Sequence, residues 1–264
     1  MVSKTEEAQV NRLENQVDNG GGGAWEYLCL VRKLKLRRSD KVLKHGLSIL
    51  NDPTKRSSLG PEGRLEAMLL EAKGLWAEAE KAYSSLLEDN PLDQVIHKRR
   101  AAMAKAQGNL SGAIEWLNKY LEIFMADHDA WRELAEIYVS LQMYKQASFC
   151  YEELILSQPT NPLYHLAYAD VLYTLSGLEN LQTAKKYYAS AIDLTGGKNT
   201  RALYGVCLCT FGIGQLTKGR NKDDKEKSEL QSLAVTALEK DYKHTAPGKL
   251  SLLSSTLRSL KLSS

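Results

Sequence analysis

Five histidines, at positions 45, 97, 128, 165 and 244, are the side chains best suited to acid–base or metal chemistry in this chain of 264 residues. That chemistry needs fixed company, such as an HExxH helix, two histidines a helical turn apart beside a carboxylate, or a GxSxG elbow. The sequence contains none of these. The histidines therefore read as structural or surface groups, and the chain as something other than an enzyme. Four cysteines, Cys29, Cys150, Cys207 and Cys209, show no CxxC spacing, which argues against zinc and redox chemistry. Cys207 and Cys209 stand two apart on a predicted helix and so face different sides of it, which suits core packing better than a shared metal. Glycines 20–23 lack the Lys-Ser/Thr that a phosphate-binding loop requires and read as a flexible linker. No cofactor or metal is expected.

Charge is nearly balanced, with 35 basic residues against 32 acidic and a net charge of +3. So weak an asymmetry argues against a nucleic-acid partner. The N-terminal segment MVSKTEEAQVNRLENQVDNGGGG has no apolar core of a signal peptide, and no stretch reaches 18 uninterrupted apolar residues. The expectation is a soluble cytosolic protein with reduced thiols, whose contact with any membrane comes through a partner. The sequon Asn109-Leu110-Ser111 then never meets the glycosylation machinery.

What remains is a pattern that positions side chains rather than reacting ones. From residue 128 the sequence places Trp131, Leu134, Ala135, Tyr138, Ala147, Tyr151, Leu154 and Pro159. Trp131, Leu134 and Tyr138 form one helical face, while Ala135 and Ala147 are small where two antiparallel helices must approach closely. Pro159 ends the second helix. A shift of 34 residues finds the pattern again: Ala67, Ala79, Tyr83, Leu86 and Pro91 in one unit, then Ala101, Ala113, Leu117 and Tyr120 in the next. After Pro162 the pattern fits through Ala169 and resumes at Ala184, Tyr188 and Ala191, three residues late, which places three extra residues in the turn around SGLENLQ. A weaker unit begins near Arg201.

Units of this length, with these residues, resemble tetratricopeptide repeats. The predicted fold is all-α, a superhelical solenoid of antiparallel helix pairs. Its parts are a disordered polar tail over 1–23, a degenerate helical hairpin and loop over 24–59, and a repeat array over 60–216. A charged connector follows over 217–228, and capping helices over 229–264, where Leu250, Leu253, Leu257 and Leu260 make an amphipathic closing face.

Several segments carry a narrower resemblance: KAQG at 105–108, AWRELAEIY at 130–138, ASFCYEEL at 147–154 and the GLENL insertion at 177–181. The chain resembles the family of subunit 2 of the endoplasmic reticulum membrane protein complex. In that family a further helical hairpin lies where Leu59-Gly60-Pro61-Glu62 here runs straight into Gly63, so about one repeat is missing near Glu62/Gly63. The resemblance implies a non-catalytic scaffold on the cytosolic face of the endoplasmic reticulum, in a complex that inserts transmembrane segments. Its implied partners are the other subunits, including cytosolic tails of membrane subunits and a soluble subunit.

Binding on such a scaffold falls to the first helix of each repeat. Arg64, Lys98 and Arg132 lie 34 residues apart, one place after the tryptophan position, and are expected to face the concave side as a ladder for an acidic or C-terminal segment. The alternative is three solvated cations on a polar face, since the fourth repeat breaks the series with Leu166. Lys105, Glu136, Leu163, Asp170 and Tyr173 complete the expected groove. A second functional reading, a free co-chaperone adaptor gripping a terminal carboxylate, requires asparagines at inner positions that here hold Ala102, Glu136 and Asp170.

Overall fold

The computed structural model describes residues 4–19, 62–217 and 224–259, together with positions 26, 27, 30, 31, 44 and 46. The chain divides into two compact units, Met1–Ile123 and Phe124–Ser264. Every described element is helical.

The first unit holds α1 (Lys4–Asp18), α2 (Glu62–Ala72), α3 (Trp76–Asp89), α4 (Gln94–Ala106) and α5 (Leu110–Ile123). Helix α1 corrects the expectation of a disordered tail over 1–23. Its composition is polar, but Val10, Leu13 and Val17 recur at helical spacing, and Val10 is buried with Tyr27 and Val31. The predicted hairpin over 24–59, and the join before Glu62, lie outside the described residues apart from the six isolated positions. In α2–α5 the helices pair in sequence order, α2 with α3 and α4 with α5. Ala67 and Ala79 are fully buried, as is Ala113, and Ala101 nearly so. These alanines let paired helices approach closely, while Tyr83, Ile96 and Met103 fill the space beside them.

The second unit holds α6 (His128–Ser140), α7 (Tyr144–Ser157), α8 (Pro162–Leu175), α9 (Leu178–Leu194), α10 (Thr200–Leu216), α11 (Asp224–Thr245) and α12 (Leu250–Ser259). Ala135, Ala147, Ala169, Ala184 and Ala191 are all fully buried. The three extra residues of the fourth repeat do not swell its turn, as the sequence suggested. They lie inside α9, which has 17 residues where its counterpart α7 has 14. Three residues are nearly one helical turn, so Leu181 reaches a buried position on the same face as Ala184. The charged connector is likewise shorter than expected: residues 218–223 lie outside the described part, but the chain is helical from Asp224. In the closing helix Leu253 and Leu257 are buried, and Leu260 lies outside the described residues.

Three features recur at the 34-residue period without having been read from the sequence. Asp93, Asp127 and Asn161 cap α4, α6 and α8, each accepting from backbone amides of the first turn. His97 Nε2, Trp131 Nε1 and His165 Nε2 each bond the carbonyl oxygen six residues earlier, at 2.8 Å. The two histidines thus occupy the tryptophan's place and donate as its indole does. Gly74, Gly108, Gln142 and Ser176 all have positive φ in the turn between paired helices.

Candidate partner-binding site

The residues expected to form the groove lie on α2, α4, α6 and α8, the first helices of their repeats. Arg64 pairs with Asp93, whose side chain is nearly buried. One Asp93 oxygen also caps α4, so the Arg64 charge is spent on holding α2 to the start of the next repeat. The Lys98 ammonium lies 5.4 Å from the centre of the Tyr120 ring. Lys105 is exposed on the last turn of α4, where a cation suits the helix dipole. Arg132 sits between Asp129 at 3.0 Å and Glu136 at 3.9 Å on its own helix. Each cation of the series thus has company, Arg64 and Lys98 from a later part of the chain and Arg132 from residues three and four away on its own helix.

In the second unit the same face is mixed in character. Leu163 is 66% exposed, and Leu166 and Tyr173 are half-buried. Asp170 is tied on both oxygens, accepting from the Tyr188 hydroxyl at 2.7 Å and pairing with Arg201 at 2.8 Å. Burial, then this hydrogen bond, drives the Tyr188 phenol far above its ordinary range. Burial and the charges of Glu136 and Asp170 likewise raise Tyr151. Asp170 therefore does structural work that its register position did not reveal, whereas Arg132, Glu136 and Leu163 keep most of their surface open.

The three thiols among the described residues are inert. Cys150, Cys207 and Cys209 are buried, and burial pushes them up to about 12, about 11 and about 12 respectively. A thiol so far from ionisation is neither nucleophile nor metal ligand at neutral pH. Among the described residues no group of three or more His, Cys, Asp or Glu side chains is placed to hold a metal. No described helix is long and apolar enough to cross a membrane.

Comparison with known proteins agrees with the all-α repeat fold. The model of a family described as the EMC2 TPR-like repeat domain matches residues 50–185. A Xenopus laevis protein named ER membrane protein complex subunit 2-A is 39% identical over 179 residues, covering 68% of this chain and 60% of that one. The chain thus spans about 60% of the length of this relative. A Dictyostelium discoideum protein named ER membrane protein complex subunit 2 is 32% identical over 266 aligned residues, covering 81% of this chain and 83% of that one. That alignment is longer than the part of this chain it uses, so the relative carries residues with no counterpart here, as a missing repeat would produce. Among solved structures, the C-terminal part of a TPR repeat-containing protein from Cytophaga hutchinsonii superposes with a TM-score of 0.57, covering 88% of this chain and 90% of that one at 14% identity. At that identity the likeness speaks for the fold alone. By the matched repeat domain and the Dictyostelium relative, the chain belongs to the family of ER membrane protein complex subunit 2.

Proposed function

We propose that this chain is a non-catalytic scaffold subunit of the endoplasmic reticulum membrane protein complex, working from the cytosolic face in the insertion of membrane proteins. It is held at the membrane by other subunits, and the first helices of its repeats receive the cytosolic tails of membrane subunits and a soluble subunit. Beside the family membership, the observation that carries this reading is the face of α6 and α8. There an exposed leucine, Leu163, lies on α8, the first helix of the repeat after the one whose first helix bears the half-exposed Arg132 and the open Glu136. Apolar contact gives such a site affinity, while the charges set register and partner choice. The co-chaperone alternative is weaker, since a terminal carboxylate would meet the acidic Glu136 and Asp170 where it needs neutral donors.

The test is co-purification of the tagged chain from detergent-solubilised membranes, comparing wild type with Arg132→Glu combined with Leu163→Asp. Both positions are exposed, so the variant should keep the wild-type melting temperature while losing at least one companion subunit. Full assembly of a well-folded variant would remove this face from the mechanism. Arg64 is left untouched in the test, because Arg64→Glu would set two carboxylates against each other at the cap of α4.

A further inference from the structure

A pocket of about 360 Å³ opens in the first unit between α3, α4 and α5, lined by none of the residues of the expected groove. Trp76 and Trp116 line it, together with the buried Met103 and Ala104. Its one ion pair is closed on itself: Arg100 pairs with Glu80, donates to Ser84 Oγ at 3.4 Å, and stacks 3.6 Å from the centre of the Trp116 ring. The two charges of that wall offset each other, so a charged ligand would find no net opposite charge there, although Arg100 Nε and Glu80 Oε2 are buried without a hydrogen-bond partner. An apolar side chain would find indole, thioether and methyl surface, and the volume admits one large anchor together with the backbone on either side of it.

The polar groups at the rim specify more. Gln107 donates through Nε2 to the Met103 carbonyl at 3.3 Å, which fixes its amide and leaves Oε1 as an acceptor. Asn109 accepts through Oδ1 from the Gly112 amide at 2.9 Å, which fixes it the opposite way and leaves Nδ2 as a donor. One free acceptor and one free donor, two residues apart, match the N–H and C=O that flank a residue in a peptide chain. We infer that the Trp76–Trp116 pocket is a peptide-docking site that takes one uncharged aromatic or long aliphatic side chain of a partner, with Gln107 and Asn109 holding the backbone on either side of it. This site shares no residue with the face of α6 and α8, so the two can fail separately.

The probes are the N-acetyl N-methylamides of leucine, phenylalanine, glutamate and lysine, titrated into the full chain while the indole N–H resonances are followed by NMR. The leucine and phenylalanine amides should shift the Trp76 and Trp116 signals saturably, with dissociation constants of about 1–10 mM as expected for fragments of this size. Ala77 is exposed and lines the pocket, so Ala77→Phe fills the space without touching the core and should abolish the shifts. Gln107→Leu should weaken the response to both amides by about threefold to tenfold while leaving toluene binding unchanged. Equal responses to the charged amides, an undiminished response in Ala77→Phe, or the absence of saturation with any amide would overturn the inference. So would toluene binding as tightly as the phenylalanine amide, since a bare apolar cavity has no use for a backbone.

Discussion

The second and fourth repeats solve one packing problem in two ways. In the first unit the second helix of the repeat buries Leu117, and the matching position on the first helix is Ala102. In the second unit the equivalent pairs are Tyr151 with Glu136 and Tyr188 with Asp170. Tyr188 is 3% exposed and donates a hydrogen bond from its hydroxyl to Asp170. The first repeat shows that the tyrosine sets the demand: Tyr83 has Met68 at the matching place, and its hydroxyl bonds Glu71, one turn further on, at 2.8 Å. A buried hydroxyl must find an acceptor. Where leucine takes its place, the carboxylate is absent too.

The strongest test of this contrast is to copy one solution onto the other. Asp170→Ala leaves a buried phenol and Arg201 without their partner and should cost about 2–4 kcal/mol by chemical denaturation. Asp170→Ala with Tyr188→Leu reproduces the pair found at Ala102 and Leu117, and should recover about 1–2 kcal/mol relative to the sum of the single changes. Strict additivity would show that the two residues do not act as a pair.

Close approach of the helices in the second unit rests on Gly205. A Cβ there would stand 2.5 Å from the Tyr188 ring, well inside contact distance. Gly205→Ala should therefore cost about 1–3 kcal/mol, and less in a Tyr188→Leu background. The sequence offered Gly205 only as part of the weaker unit beginning near Arg201, so this requirement was not legible there.

Alkaline stability separates the units as well, because every raised thiol among the described residues lies in the second. Cys150 and Cys209 stay protonated in the fold up to about 12 and Cys207 up to about 11, whereas an unfolded thiol ionises near 8.5. Above about pH 8.5 the unfolded chain therefore binds fewer protons than the native one, and stability falls as pH rises. Each thiol adds up to about 1.4 kcal/mol per pH unit to that slope. Melting temperatures between pH 8 and 11 should fall steeply, and Cys207→Ala should flatten the decline.

Much of the architecture was readable because burial follows the repeat: alanines at 67, 79, 101, 113, 135, 147, 169 and 184 are where helices meet. The site was less so. Arg64, Lys98 and Arg132 share a register, but register does not report the neighbour that takes up a charge, and Asp93, Tyr120 and Glu136 come from three different places in the chain. Similarly, α1 reads as a polar tail until its few apolar residues are given Tyr27 and Val31 to pack on. The tryptophans of the pocket lie 40 residues apart, off the period, and only the folding of α3 beside α4 and α5 brings them to one cavity.

The smallest expected effect concerns the turns. Gly74 and Gly108 in the first unit have φ of 77° and 75°, while Gln142 in the second has φ of 59°. An added Cβ meets nothing within 4 Å at Gly74 or Gly108, so the preference for glycine there is one of backbone conformation alone. A side-chain-bearing residue in the left-handed region is strained by about 1–2 kcal/mol, part of which is offset because glycine loses more backbone entropy on folding. Gln142→Gly should accordingly stabilise the second unit by about 0.5–1 kcal/mol, and Gly108→Ala should destabilise the first by about the same. Chemical denaturation reads both, and opposite signs of similar size would show that the two units use one turn geometry and differ only in how well the residue suits it. If Gln142→Gly destabilised the chain, the side chain of Gln142 would be holding the turn through contacts that outweigh its backbone strain, and the two units would differ at the turn as they do at the tyrosine.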